Sequence, residues 1–226
     1  KLEFKRISNI GWIKGKGKGP TNIGYTFERL LKKEIENFEI PDYEGIEIKT
    51  QRIFTKSCIT LFHATPDGTY LFEIKRLRNT YGYPDYKLKN VKVLHISVFA
   101  NKITKVGANY RFKLKINEIE EKIYLCVYNQ RNKLIDQQTF WTFELLKEKL
   151  YRKLKILAIV DALYKKTRNE EFFKFNSITI YKLKDFETFI KLIKKGVIRI
   201  TFKIGTFRSG KRFGQIHDHG TGFDIK

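Results

Sequence analysis

Asp42, Glu47 and Lys49 stand in the spacing D-x4-E-x-K. Two carboxylates and an ammonium are what phosphodiester hydrolysis requires. Hard oxygen ligands seat Mg²⁺ against a phosphate, and a lysine supports the charge that develops or orients a water. The spacing alone arises by chance roughly 0.1 times in a chain of this composition, so it gains meaning only from the elements that present it. Pro41-Asp42 and Gly45 punctuate a turn, and Ile46 to Lys49 then alternate apolar and charged, the period of a half-buried strand. Glu47 and Lys49 therefore share a face about 7 Å apart, with Asp42 arriving on the turn before them. The alternative is an edge strand whose charged face is a solvated salt bridge.

The segments on either side must position this strand. Thr21-Asn22 are capping types, and a helix is predicted from there to about Asn37, with Phe27, Leu30, Leu31 and Ile35 inward. Glu28 falls within that apolar stripe. It is either a third acidic group near the metal site or a boundary residue that reaches water. Before the helix, Lys14, Lys16 and Lys18 alternate with glycines, a mobile cationic arm suited to phosphates or a plain linker, and not a nucleotide-binding fingerprint. After the motif, Ser57 to Ala64 is predicted to lie beside the motif strand, turning at Pro66-Asp67-Gly68. His63 would end that strand level with residues 47 to 49, as a structural group or as an acid or base.

The 226 residues are 42% hydrophobic and 15% aromatic, enough for a sizeable core, and are read as one domain over 1–226, any division between catalytic and recognition lobes being unresolved. Lys and Arg number 46 against 24 Asp and Glu, a net charge of +22, which implies a polyanionic partner with nucleic acid first. Cys58 and Cys126 lack the spacing of a zinc cluster or a disulfide framework, and no membrane span or signal-peptide pattern is visible, so a cytoplasmic location is expected. The middle of the chain is β-rich. A short helix is predicted from Leu71, Ile74, Leu77 and Arg78, where Lys75, Arg76 and Arg78 are candidate phosphate contacts. Strands are predicted at Val91–Ala100, Tyr110–Asn117, Lys122–Tyr128 and Leu134–Trp141. A helix over Thr142–Lys153, an apolar strand over Ile156–Ala162, a helix over Lys184–Lys195 and a strand over Val197–Ile204 favour a mixed sheet flanked by helices.

The tail from Ile204 to Phe223 intersperses glycines with Arg208, Ser209, Lys211, Arg212, His217, Asp218 and His219. Backbone of this kind approaches a partner closely, and these side chains suit base edges: Arg or Lys to guanine, Asp accepting from cytosine. The rival is a metal site at His217 and His219, which needs ligands from elsewhere.

Glu28, then D-x4-E-x-K, then Leu61-Phe62-His63 before a proline turn, then the Ser-Gly-Lys and His-Asp-His-Gly-Thr-Gly-Phe tail resemble, in that order, the MvaI/BcnI family of Type II restriction endonucleases. The likeness covers about residues 11 to 226, and the first half is more distantly similar to the mismatch-repair nicking enzyme MutH. The resemblance implies an α/β nuclease core of PD-(D/E)XK type and Mg²⁺-dependent cleavage of double-stranded DNA. It implies Asp42 and Glu47 as metal ligands, Lys49 as the catalytic lysine, Glu28 as an auxiliary acid, and His63 as a histidine present in only part of the family. It further implies major-groove reading of a short CCNGG-like site by a monomer that cuts one strand at a time, with a separate DNA methyltransferase as partner. Asp224 departs from the pattern, in which MvaI-like members carry arginine after the final Phe. A MutH-like nickase and a non-catalytic basic nucleic-acid-binding protein are the competing expectations.

Overall fold

The computed structural model describes residues 1–31, 42–67 and 70–226. Along the chain run α1 (Leu2–Ser8), β1 (Ile13–Lys14), α2 (Asn22–Leu30), β2 (Ile46–Arg52), β3 (Ile59–His63), α3 (Tyr70–Tyr81), β4 (Tyr83–Pro84) and β5 (Lys92–Val98). Then come β6 (Thr104–Val106), β7 (Tyr110–Asn117), β8 (Lys122–Tyr128), β9 (Leu134–Asp136), β10 (Phe140–Thr142) and α4 (Phe143–Lys153). The last are β11 (Ile156–Thr167), β12 (Glu170–Lys182), α5 (Phe186–Lys194), β13 (Ile198–Thr206), β14 (Ile216–Asp218) and β15 (Gly222–Ile225). They divide into two compact units, residues Lys1–Ile59 with Leu150–Lys184, and Thr60–Lys149 with Asp185–Lys226. Among the described residues no helix is long and apolar enough to cross a membrane.

The first unit is built on a four-stranded sheet in the order β1-β12-β11-β2. Its spine is the β11–β12 hairpin, closed by Arg168 and Asn169, both at positive φ (48° and 67°), as a two-residue turn that follows the strand twist demands. The predicted strand at 156–162 thus continues to Thr167, and β12, unassigned from sequence, carries Phe173 and Phe175 into the core. Those rings pack with Ile7, Ile13, Ile23, Phe27, Val160 and Ala162, and Phe27 meets Phe175 edge to face at 4.8 Å. The α2 helix lies on this core through Ile23 and Phe27, as its periodicity predicts; the expected stretch beyond residue 31, with Ile35, and Pro41 of the turn lie outside the described residues. Thr21 makes no capping bond with its side chain.

One pairing corrects the expectation from sequence. The neighbour of β2 is β11, parallel, with Ile48 opposite Ala158, and β2 is an edge strand; β3 joins β15 in another sheet. Burial decides this: Ile48 packs against the core of the first unit, whereas Leu61 and Phe62 are buried in the second, where Phe62 stacks on Phe223 at 4.8 Å.

The second unit contains a six-stranded sheet, β3-β15-β13-β5-β4 with β14 on β13, and a five-stranded one, β10-β8-β7-β6 with β9 on β8. Trp141 is fully buried, donates its indole N–H to Ala64 O at 3.0 Å, and packs against Phe202 and Phe223. The α5 helix follows its sequence signals, with Asp185 accepting from Thr188 N at 2.6 Å and Gly196 at φ 73° just past its end. The predicted strand over 134–141 is broken in two. Asp136 turns inward to accept from Tyr81 Oη at 2.6 Å and from Arg76, and its other oxygen takes Gln138 N at 2.9 Å, so the ladder cannot continue. Arg76 is therefore a half-buried structural partner of Glu73, Asp136 and Thr139, and Arg78 donates to Thr206 Oγ1 at 3.0 Å. Gly68 of the expected turn lies outside the described residues.

Candidate active site and recognition face

The free edge and one face of β2 carry the candidate catalytic residues of the first unit. Pleating puts Glu47, Lys49 and Gln51 on the face opposite Ile48. Glu47 is completely buried, and its Oε1 receives the Lys49 ammonium at 2.5 Å and that of Lys153 at 3.4 Å. Its Oε2 is equally inaccessible and has no hydrogen-bond partner among the described residues. Burial pushes the Glu47 carboxyl above the usual carboxylate range, the Lys49 ammonium pulling against that rise and the Asp42 charge adding to it. Asp42 is held at the strand edge by Oδ2, which accepts from Ile48 N at 2.8 Å, an N–H that no neighbouring strand claims. Farther along the same face, Gln51 donates to Asp161 Oδ1 at 2.7 Å and Ser177 donates to Oδ2 at 3.0 Å.

Asp42, Glu47 and Lys49 thus come together as their spacing predicts. Glu28 approaches from the α2 side: a Cβ at Gly24 would lie 3.6 Å from Glu28 Oε1 and 3.4 Å from Thr50 Oγ1, and Thr50 belongs to the Ile48 face. Among the described residues no three His, Cys, Asp or Glu side chains stand close enough to hold a metal ion. Among the described residues Asp42 and Glu47 are the carboxylates brought together here, and one or two carboxylates are how Mg²⁺ is usually bound when substrate phosphate and water complete its shell. The buried, unpartnered Oε2 of Glu47 fits such a hard cation.

The glycine-lysine segment is not the free arm expected from its composition. Ile13 and Lys14 pair with β12, and Gly17 N donates to Asn22 Oδ1 at 2.7 Å and Lys16 N to Thr26 Oγ1 at 2.9 Å. A side chain at Gly15 would lie 2.4 Å from Asn22 Nδ2, so glycine is needed for this close approach to the start of α2. The Lys14 ammonium is bonded to Glu170, while Lys16 and Lys18 are exposed.

In the second unit the tail forms a hairpin, Thr206 opposite Ile216, whose loop exposes Arg208, Ser209, Lys211 and Arg212. A stack runs across it. The Arg212 guanidinium lies 4.1 Å from the Phe207 ring, Phe207 is parallel to His217 at 4.4 Å, and His217 is 4.2 Å from His219. Asp218 alternates to the other face of β14, with Oδ1 inaccessible. His95, on β5, joins the histidine side: a Cβ at Gly205 would be 3.5 Å from its Nε2, and it lines one depression with Lys203 and His219. Lys203 donates to Thr60 Oγ1 at 3.4 Å and reaches Asp224 Oδ2 at 4.0 Å. His63 also belongs to this unit, exposed, with its ring 3.0 Å from a Cβ at Gly220.

The MvaI/BcnI restriction endonuclease family model matches residues 2–226. The chain belongs to the MvaI/BcnI restriction endonuclease family. The fold agrees: the structure of a restriction endonuclease MvaI-cognate DNA substrate complex superimposes with a TM-score of 0.89 at 35% identity, covering 99% of this chain and 90% of that one. Restriction endonuclease MvaI in the absence of DNA superimposes with a TM-score of 0.63 at 34% identity, covering 99% and 89%. No match is found among curated protein sequences.

As an MvaI/BcnI member the protein is a restriction endonuclease, an enzyme that cuts DNA at specific sequences, and enzymes of this kind work with divalent metal ions. Lys153, His95 and Asp161 escaped the reading of the sequence. Lys153 sits 104 positions after Lys49, and His95 reaches the tail only because β5 pairs with β13. Asp161 left a usable signal, a carboxylate in an otherwise apolar strand.

Proposed function

We propose that this enzyme is a Mg²⁺-dependent Type II endonuclease that cleaves double-stranded DNA within a short CCNGG-like site, acting as a monomer on one strand at a time. Asp42 and Glu47 hold the metal ion in this reading, and Lys49 is the catalytic lysine. The observation that carries it is Glu47: a fully buried carboxylate with one oxygen on two ammonium groups and the other without a partner among the described residues. Bound there, Mg²⁺ would polarise a phosphate oxygen and lower the pKa of a water. The Lys49 ammonium, 27% exposed and bonded to the other oxygen of Glu47, orients a water and stabilises the charge that grows on the phosphate. Glu28 is an auxiliary acid and His63 a further acid or base. Arg208, His217, Asp218 and His219 read bases, and Ser209, Lys211, Arg212, Lys14, Lys16 and Lys18 contact the backbone. A cytoplasmic location with a separate protective methyltransferase completes this reading.

Incubating supercoiled plasmid with the protein tests it. With Mg²⁺, nicked circles should precede linear product, and sequenced ends should share one short G·C-rich site; EDTA should stop both. Random ends, or cleavage indifferent to EDTA, would refute it.

The charged loop gives a separate expectation. Each backbone contact contributes about 0.9 to the slope of log affinity against log salt. Replacing Lys14, Lys16 and Lys18 by Ala should flatten that slope equally for cognate and random duplexes. Lys16 and Lys18 should account for most of the change, because Lys14 already has Glu170 as its counter-charge. An unchanged slope would make the loop purely structural.

A further inference from the structure

Arg208 leaves β13 with one edge of its guanidinium already engaged: Nη2 and Nε donate to Asp85 Oδ2 at 2.6 and 3.2 Å. Asp85 is no ordinary surface acid. It is 1% exposed, and its Oδ1 accepts from Lys87 N at 2.7 Å and Leu88 N at 3.2 Å, while its own N–H donates to Val91 O at 2.9 Å. Both carboxylate oxygens and the backbone are thereby fixed after β4. Exposed ion pairs between two long side chains contribute little, because both must be ordered. In this pair the acid is already ordered, and only the arginine, 38% exposed, retains access to solvent. The Tyr86 ring, 78% exposed, lies 5.2 Å from the guanidinium and restricts it further. On the same side, burial first and then the nearby charges of His219 and Arg208 hold the His95 imidazole below its ordinary range.

We propose that Asp85 is a positioning residue for base recognition, holding Arg208 by its Nε edge so that the remaining N–H groups on Nη1 and Nη2 meet O6 and N7 of one guanine. This rests on the reading of the tail as the base-contacting segment. The chemistry is that of a bidentate contact: guanine offers two acceptors in the major groove, and a guanidinium reads them both only when its plane is set. An arginine free to swing could equally satisfy a phosphate, which carries no sequence information. A bracket fixed before DNA arrives removes that choice and lowers the entropy lost on binding.

The experiment compares kcat/KM for the cleaved site and for each single-base-pair variant of it, at one salt concentration, in the wild type, Asp85→Asn, Arg208→Ala and the double variant. Asp85→Asn should reduce discrimination by about 10- to 100-fold at one G·C pair and leave the other positions unchanged. In the Arg208→Ala background it should do nothing further, which a merely structural role for Asp85 would not predict. Arg208→Lys keeps a counter-charge for Asp85 but replaces the planar fork, whose orientation Asp85 sets, with an ammonium that has no plane to set. It should lose selectivity at the same pair, and it decides the matter should Asp85→Asn fail to fold. A loss spread evenly over all sequences, or a further loss in the double variant, overturns the inference while leaving the endonuclease reading in place. A wild type with no preferred site overturns both.

Discussion

Glu47→Gln should lower the rate of cleavage by on the order of 10²- to 10³-fold or more while leaving affinity for the preferred site nearly unchanged. The two effects separate because, in the proposed reading, binding rests on phosphate and base contacts and Glu47 acts only on the reacting phosphate. Glutamine preserves the volume of a fully buried side chain but removes the charge that two ammonium groups neutralise. The site then carries an excess of positive charge and offers a neutral oxygen to the cation. Asp42→Asn should act in the same direction, as its Oδ2 bond to Ile48 N survives in the amide while the charge is lost. Lys49→Ala should also abolish cleavage, since its ammonium is needed most when charge builds on the phosphate. Single-turnover cleavage and equilibrium binding, measured on the same duplex, check all three. A Glu47→Gln protein that cuts within about tenfold of wild type would remove Glu47 from the machinery.

The second large effect is on stability. Arg76 donates to both oxygens of Glu73, at 3.2 and 3.0 Å, to Thr139 Oγ1 at 2.9 Å and to Asp136, which also takes Tyr81 Oη. Burial by itself would raise both acids, but the bonds from Arg76, with Thr139 on Glu73 and Tyr81 on Asp136, outweigh it and hold both below the ordinary carboxylate range. Replacing Arg76 by Met strands two neighbouring carboxylates in the interior, and breaking a buried pair in this way costs about 3–5 kcal/mol. The sign with pH follows. In the wild type the lowered values contribute stability above the unfolded carboxylate pKa of about 4, lost as pH falls through the folded values. The variant gains nothing from ionised acids and is relieved when they protonate. Urea midpoints of the two proteins should therefore lie far apart at pH 7 and converge towards pH 4. A difference below about 1 kcal/mol at pH 7 would mean that the cluster is effectively solvated.

Amino-acid order alone determined the pieces whose physics is local. Alternation across Ile46–Lys49 was enough to put Glu47 and Lys49 on one face, since a strand's period of two needs no partner. The helix read over Lys184–Lys195 met the ends of α5 to within two residues, because helical period and capping act within a turn or two of the chain. The motifs from Glu28 to the tail, taken in order, pointed to the family that the whole chain then matched. Pairing and burial were decided only by tertiary structure. Nothing local tells an edge strand that its neighbour begins 104 residues later in β11 and not at Ile59; that follows from where Ile48 finds apolar partners. Arg76 looked like a surface cation until Asp136, from a strand 60 positions away, closed around it. The lysine-glycine segment looked like a free arm until Asn22 and β12 fixed its backbone. Lys153 at Glu47 and Asp85 behind Arg208 are likewise charges that acquire a role only from their counter-charge, and a counter-charge is a matter of distance in space, which spacing along the chain does not encode.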